Sequence, residues 1–453
     1  MKKPLLLVAL LICVFSVSAR TITAKPGDDV ENIISTLLGG DTLILEDGNY
    51  PLTERFSFSL SGTADQPIII RAADAAHPRF HRTGVNQNIW DIENAHYVTI
   101  DGLHFSGGSA GVRVWNANHF TFSNNEIFGT DDAALTMNID GGKYDTVSIL
   151  NNHIHDTRGT GEGMYLGCNF NKCQFSNSLI EGNYIHDTLN AEQGDGIEVK
   201  EGSSGNIIRN NVIHDTNYPC ILSYGTLGNG DQNIIENNFV YNCGDHGIQS
   251  AADTIIRNNI VLNTKLDGIA MQHHQSSAPS NLVVVNNTVV KATGAAISLN
   301  GNRGSVVIAN NALYSESGKS LELSNTNNAL LKLSGNVGSG KYDGPSGFKQ
   351  GNIATDFVRG HYKGAPPIDL HPAAKSKLLR VGESSVAVTT DFDGNQLGRL
   401  VDAGAYVYNT TKNKLGWVLS NSFKGQQNTP VSAMKFKQQP LPPWGCIPIP
   451  NPK

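Results

Sequence analysis

Eight times between residues 120 and 311 a short apolar run ends on an Asn-Asn or Gly-Asn pair, as in "VSILNNHIHDT", "LIEGNYIHDT" and "IIRNNIVLNT". The second asparagine falls at Asn125, Asn152, Asn183, Asn211, Asn238, Asn259, Asn287 and Asn311, at intervals of 21 to 31 residues. The residues leading into each pair alternate apolar and polar, which is the strand period. A strand-only unit of this length cannot bury its own apolar face. It must stack on copies of itself, and such a unit is one coil of a parallel β-helix. Asparagine suits the sharp bend, because it tolerates a left-handed backbone and like amides one coil apart can form a ladder. These asparagines are read as architecture, not as catalysts.

Each coil carries a second short strand: "GVRVW", "ALTMN", "GMYLG", "GIEVK", "CILSY", "GIQSA", "GIAMQ" and "AISLN". Alternation sends Val112, Val114, Met164, Leu166, Ile197, Val199, Ile248, Ile269, Met271, Ile297 and Leu299 inwards. Their neighbours form two outward columns. One holds Arg113, Thr136, Tyr165, Glu198, Leu222, Gln249, Ala270 and Ser298; the other holds Trp115, Asn138, Gly167, Lys200, Tyr224, Ala251, Gln272 and Asn300. Coils stand about 4.8 Å apart, so residues distant in sequence share one face.

The ends depart from this rhythm. Residues 1–19, with two lysines, the apolar "PLLLVALLICVFSV" and a small-residue cleavage site, read as a secretory signal. The apolar run is too short to span a bilayer, and no later run approaches the roughly 20 residues that spanning needs. The mature chain is therefore placed outside the cell or in a periplasm, with no membrane span. "DDVENIISTLL" predicts an Asp-capped amphipathic helix over 29–38 that covers the open N-terminal edge. Residues 20–408 form the β-helix, regular from 98 to 315 and about ten coils long; a less regular terminal coil follows, and the Pro-rich 409–453 is an extended tail.

Five cysteines remain after cleavage, and in an oxidising compartment they pair. Cys168 with Cys173, and Cys220 with Cys243 one coil apart, are the expected bridges, leaving Cys446 over. The net charge of −6 gives no general attraction to nucleic acid.

Just before the second strand, one residue per coil gives Asp132, Glu162, Asp195, Pro219, His246 and Asp267. Stacked carboxylates repel unless a cation, a shared proton or a basic partner compensates. Lys200 is one such partner and Ca²⁺, which takes carboxylate oxygens as ligands, is another. Asp132, Glu162, Asp195 and Glu198 are the candidate metal ligands. The repeated "HDT", with His155, His186 and His214, reads as a stack at a bend. "QHH", Gln272 to His274, breaks the repeat.

"SGTADQPIIIRAAD", the Asn repeats and "DGIEVKEGSSGNIIRNNVIHDT" resemble the right-handed, pectin lyase-like single-stranded parallel β-helix proteins that act on acidic polysaccharides: pectate, alginate and chondroitin lyases and uronate epimerases. The likeness spans most of residues 22 to 408. "DGIEVK" with "GNIIRNN" is similar to the segment by which one pectate lyase family supplies a calcium-binding Asp, which maps onto Asp195. That family's Asp-Asp-Gly-x-Asp cluster is replaced here by "NYPCILSYG". "GTDDAAL", with Asp131 and Asp132, is similar to the Asp pair of polygalacturonase-type hydrolases, whose Gly-His-Gly and Arg-x-Lys phrases are missing.

The resemblance implies a secreted, monomeric lyase that cleaves a uronic-acid polymer by β-elimination. That reaction needs a cation for the substrate carboxylate, a base for the C5 proton and a donor for the leaving oxygen. Arg113, or Ca²⁺ near Asp195 and Glu198, is assigned to the first, Lys200 to the second and Tyr165 or Tyr224 to the third, with His246 as reserve base. Trp115, Asn138, Gln249, Gln272 and His273 are read as substrate contacts. A C5-epimerase, a glycoside hydrolase and a non-catalytic carbohydrate-binding or adhesion protein are the alternatives.

Overall fold

The computed structural model describes residues 19–362 and 368–408. Most of the expected signal, the 409–453 tail, Cys13 and Cys446 lie outside the described residues.

The Asn pairs divide their work. The first member turns the corner: Asn124, Asn151, Asn210, Asn237, Asn258, Asn286 and Asn310 have φ between 54° and 57°, and Gly182 takes the same place at 71°. The second member points inwards and builds the ladder. Asn183 gives both its backbone N–H and its Nδ2 to Asn211 Oδ1 at 2.9 Å, and Asn211 gives both to Asn238 Oδ1 at 3.0 Å. Each Nδ2 also caps a carbonyl of the strand before it, as Asn211 does at Ile180. An unpaired buried amide is costly, so this corner closes only with asparagine above and below.

The ladder runs past the regular region on the C-terminal side. Asn311 donates to Asn336 Oδ1 at 3.1 Å and 3.0 Å, and Gly335 turns at φ 62°, repeating the Gly-Asn variant of Gly182 and Asn183. Strand pairing extends further still: one column runs from Thr21–Ala24 through Thr42–Leu45 and Ile68–Ala72 to Leu331–Ser334, every neighbour parallel. Parallel strand pairing in this column therefore reaches beyond the regular coils of 98–315 on both sides.

Apart from the asparagine ladder, the interior is lined by apolar side chains. Phe80, Trp90, Phe105, Phe122 and Phe175 fill the wide early coils, while Ile197, Ile221, Ile248, Ile269 and Ile297 stack in the later ones. The capping helix is shorter than its pattern: it spans Val30–Ser35, Asp29 accepts from Asn32 N at 3.1 Å, and Val30 and Ile34 are buried against the first coil. The C-terminal segment is not a further coil. It folds back along the outside, where Phe357, Leu370, Phe392 and Tyr406 cover Phe239, Tyr241, Ile260 and Leu262, and Asn258 Nδ2 reaches Thr390 O at 2.7 Å. Both expected disulfides are present, with Cα separations of 4.9 Å for Cys168–Cys173 and 5.4 Å for Cys220–Cys243. Among the described residues no helix is long and apolar enough to cross a membrane.

Candidate active site

The first outward column is in register: Asp91, Arg113, Thr136, Tyr165, Glu198, Leu222, Gln249, Ala270 and Ser298 pair in turn across successive parallel strands. Lys200 stands one outward step beyond Glu198 on the strand Ile197–Val199 and its exit. The Lys200 ammonium contacts Glu198 Oε1, donates to Tyr224 Oη at 3.3 Å and lies 4.4 Å from the centre of the Tyr165 ring. Tyr224 donates to the same Glu198 oxygen at 3.0 Å, and its ring stacks on His274 at 4.6 Å. Three side chains from three coils thus converge on one amine.

Behind this amine three carboxylates meet. Glu162, Asp195 and Glu198 each bring an oxygen to within 4.8 Å of the others. All three are buried, at 1%, 1% and 2% exposure. Glu162 Oε1, Asp195 Oδ1 and Glu198 Oε2 find no hydrogen-bond partner among the described residues. Burial, with the nearby charges of Glu198 and Asp132, pushes the Glu162 carboxyl up to about 7. Burial, then Glu198 and Glu162, also drives Asp195 well above the carboxylate range. Burial alone would pull the Lys200 ammonium down, but Glu198 and Tyr165 outweigh it and its pKa is raised. These surroundings favour the ammonium form of Lys200, and they favour a proton on Glu162 and Asp195 unless a cation takes its place. Unpartnered, buried, convergent oxygens fit a hard divalent ion such as Ca²⁺.

The raised Glu162 value has a stability consequence. Its folded pKa lies above the ordinary 4.5, so the native state holds a proton that the unfolded chain releases between pH about 4.5 and 7. Stability therefore falls as pH rises through that window. Glu162→Gln is expected to flatten this dependence, stabilising the ion-free protein by up to about 3 kcal/mol near pH 8. Denaturant melts at pH 5 and pH 8 check it, and an unchanged pH difference in the variant would contradict the reading.

Two loops border the amine. The turn Asn169–Asn171, stapled by Cys168–Cys173, meets residues 274–277 through Gln275, whose Nε2 donates to Asn169 Oδ1 at 2.7 Å and whose Oε1 accepts from Phe170 N at 3.3 Å. Glu201 anchors the second loop by accepting from Ser276 N at 2.9 Å. Phe170, at the tip, is 70% exposed.

Not every candidate joins the cluster. Arg113 is three coils from Glu198, roughly 14 Å at the inter-coil spacing, and its Nε is buried without a partner. Asp132 spends Oδ1 on Ala133 N and Thr160 Oγ1, outside the convergent three. His246 accepts from Asp267 N at 3.1 Å and lies beside Asp245, neither of which belongs to the Lys200 cluster. Gln249 is buried in the same column two coils beyond Glu198; Asn138 and Gln272 are half-buried and Trp115 is exposed along the face. His273 is exposed, and it is His274 that stacks at the site. Repeat-breaking "QHH" was the signal for His274. Phe170, Gln275 and Ser276 carry no comparable local signal.

The fold and this cluster define an acid-lined β-helix with one basic centre on an outer face. The family model for the right handed beta helix region matches residues 79–186 and 176–313. The chain belongs to that family. No curated protein matches it in sequence. Among solved structures it is similar to the pectate lyase Pel9A, with 15% identity over 87% of this chain and 97% of that one and a TM-score of 0.57. XylC in complex with xylose aligns at 10% identity over 86% and 98%, with a TM-score of 0.56. The PL6 family alginate lyase AlyGC aligns at 18% identity over 85% and 58%, with a TM-score of 0.48. At these identities the likeness is one of fold.

Proposed function

We propose that the protein is an exported polysaccharide lyase that cleaves a uronic-acid polymer by β-elimination. The observation that carries this reading is the Lys200 amine, seated between Tyr165, Tyr224 and Glu198 directly in front of three buried carboxyls. Glu162, Asp195 and Glu198 would hold Ca²⁺. The ion, when bound, would neutralise both the substrate carboxylate and the Glu198 charge that keeps a proton on Lys200.

The chain's own groups divide the reaction as follows. Lys200 Nζ removes the proton from C5, the released electron pair becomes the C4=C5 double bond, and the C4–O bond breaks. Tyr165, half-buried beside Nζ, returns a proton to the departing oxygen. Tyr224 is more enclosed and burial pushes its phenol far up, so it holds Glu198 in place. Substrate reaches Nζ past Tyr165 or by parting the Asn169–Gln275 contact. Trp115, Asn138, Gln272 and His273 line the face on either side, and Arg113, three coils away, serves a sugar further along the chain rather than the reacting one. The enzyme acts as a monomer. The fold likeness to pectate lyase Pel9A supports the reading.

Hydrolysis is the second reading, raised by the likeness to XylC with its bound xylose and by the carboxyl of Glu162 held near neutrality. All three carboxyls are buried, each with an oxygen that finds no partner among the described residues, which favours shared protons or an ion over a carboxyl pair open to a glycosidic bond. A panel of pectate, alginate and glycosaminoglycan polymers, assayed for ultraviolet absorbance, tests the proposal: one polymer should yield the unsaturated product. A changed sugar ratio without cleavage would indicate an epimerase, and binding without turnover an adhesion module; either would overturn the lyase.

A further inference from the structure

A second convergent set of donors lies on a different strand column. His104, Glu126 and His153 pair in register on the successive strands His104–Gly107, Glu126–Phe128 and His153–His155, and His155 projects to the same side as His153. Glu126 is the hub. Its Oε2 stands 2.9 Å from His104 Nδ1, and its Oε1 stands 3.3 Å from both His153 Nδ1 and His155 Nε2. One atom each of Glu126, His153 and His155 falls within 4.8 Å of the others.

The far nitrogen of each ring decides what the near one presents. His155 Nδ1 is 2.7 Å from Asp156 Oδ2, so in the neutral ring this nitrogen carries the hydrogen and Nε2 presents a lone pair to Glu126. His186 Nδ1 is 2.6 Å from Asp187 Oδ2 and likewise carries its hydrogen, so His186 Nε2 accepts. His153 Nε2, 2.8 Å from that acceptor, must donate, which leaves His153 Nδ1 bare towards Glu126. His104 Nε2 is held in turn at 3.2 Å by His77 Nδ1. Two imidazole lone pairs and a carboxylate oxygen therefore face one point. Only added protons or a metal cation removes that repulsion.

The surroundings favour the cation. An imidazole whose remote N–H is fixed by a carboxylate is the usual outer support of a metal-ligating histidine, and Asp156 supplies it directly while Asp187 supplies it through His186. The rings are also locked, stacking as Phe128, His155, His186 and His214 at centroid spacings of 5.1 to 5.2 Å and within 7° of parallel. Nitrogen and carboxylate donors suit a borderline first-row ion. With bonds of about 2.0–2.2 Å, tetrahedral neighbours stand roughly 3.3–3.5 Å apart, the separation found from Glu126 to His153 and His155.

We propose that Glu126, His153 and His155, with His104 as fourth donor, form a binding site for a first-row transition ion of the Zn²⁺ type, separate from the carboxylate cluster at Lys200. Titrating the chelator-stripped full chain with Co²⁺ tests this. One equivalent should produce the intense visible bands of four-coordinate cobalt, and one equivalent of Zn²⁺ should bleach them. His153→Gln/His155→Gln should weaken uptake at least a hundredfold, whereas Asp195→Asn should keep it. Where the double variant does not fold, zinc-induced shifts of the imidazole nitrogen resonances in the intact protein decide. Absent cobalt bands, bands unchanged in a folded double variant, or uptake abolished by Asp195→Asn would each overturn the site.

Discussion

Replacing Lys200 by Ala is expected to lower turnover on the true substrate by a hundredfold or more, the usual contribution of a positioned base, while leaving the substrate's KM within a few fold. The fold should survive the change, because Lys200 lies outside the apolar stack formed by Ile197 and Val199. Removing the amine also strips Glu198 of its counter-ion in a cluster where burial already favours the protonated forms of Glu162 and Asp195. A modest loss of stability at high pH, relieved by added calcium, is the expected signature. Initial rates across a substrate series check the first part, and full activity of the variant would remove Lys200 from the chemistry.

The largest expected loss of stability comes from the ladder. Asn211→Ala removes an Oδ1 that accepts from Asn183 N and Nδ2, and an Nδ2 that serves Ile180 O and Asn238 Oδ1. Every one of these groups is buried, and each orphaned group costs about 1–3 kcal/mol. With partial relaxation the total should reach about 3–5 kcal/mol, placing this single polar change among the most damaging core substitutions. Asn210→Gly, by contrast, should cost only about 1 kcal/mol, the loss of its Nδ2 bond to Glu181 Oε1, since Gly182 already fills the same left-handed corner at φ 71°. Chemical denaturation of the two variants compares them. Equal losses would mean that the corner, not the ladder, sets the stability.

The contrast between these neighbours shows what was legible in the chain. Period and alternation were enough to find the coils, the inward stack and the outward columns, because a β-helix repeats the same local conflict at every turn. The separation of roles within each Asn pair was not legible, since both members are the same residue type. Gly335 and Asn336 were overlooked because the following residues lose the apolar rhythm, although the Gly-Asn variant had already appeared at Gly182. For the site, the residue before each second strand and the outward positions along that strand sufficed to bring Glu162, Asp195, Glu198 and Lys200 together. Column membership alone misplaced Arg113, because sharing a column does not mean sharing a sugar when three coils intervene. Contacts between Asn169 and Gln275, separated by 106 residues, leave no trace in local sequence. The histidine relay was hidden for a related reason: its repeated "HDT" resembles plain stacking, and its hub, Glu126, occupies a position where other coils carry His153 or Tyr184.

The mass of the cleavage products tests the central claim most directly. Elimination breaks the C4–O bond without consuming water, so fragments cut from a defined uronic-acid oligomer should sum to the mass of the intact oligomer, and each new non-reducing end should carry the double bond. In ¹⁸O-labelled water the fragments should show no heavy oxygen beyond the ordinary exchange at the reducing end. Fragments that together exceed the oligomer by one water per cut, with saturated ends, would contradict the account and show that the carboxyls of Glu162, Asp195 and Glu198 serve hydrolysis.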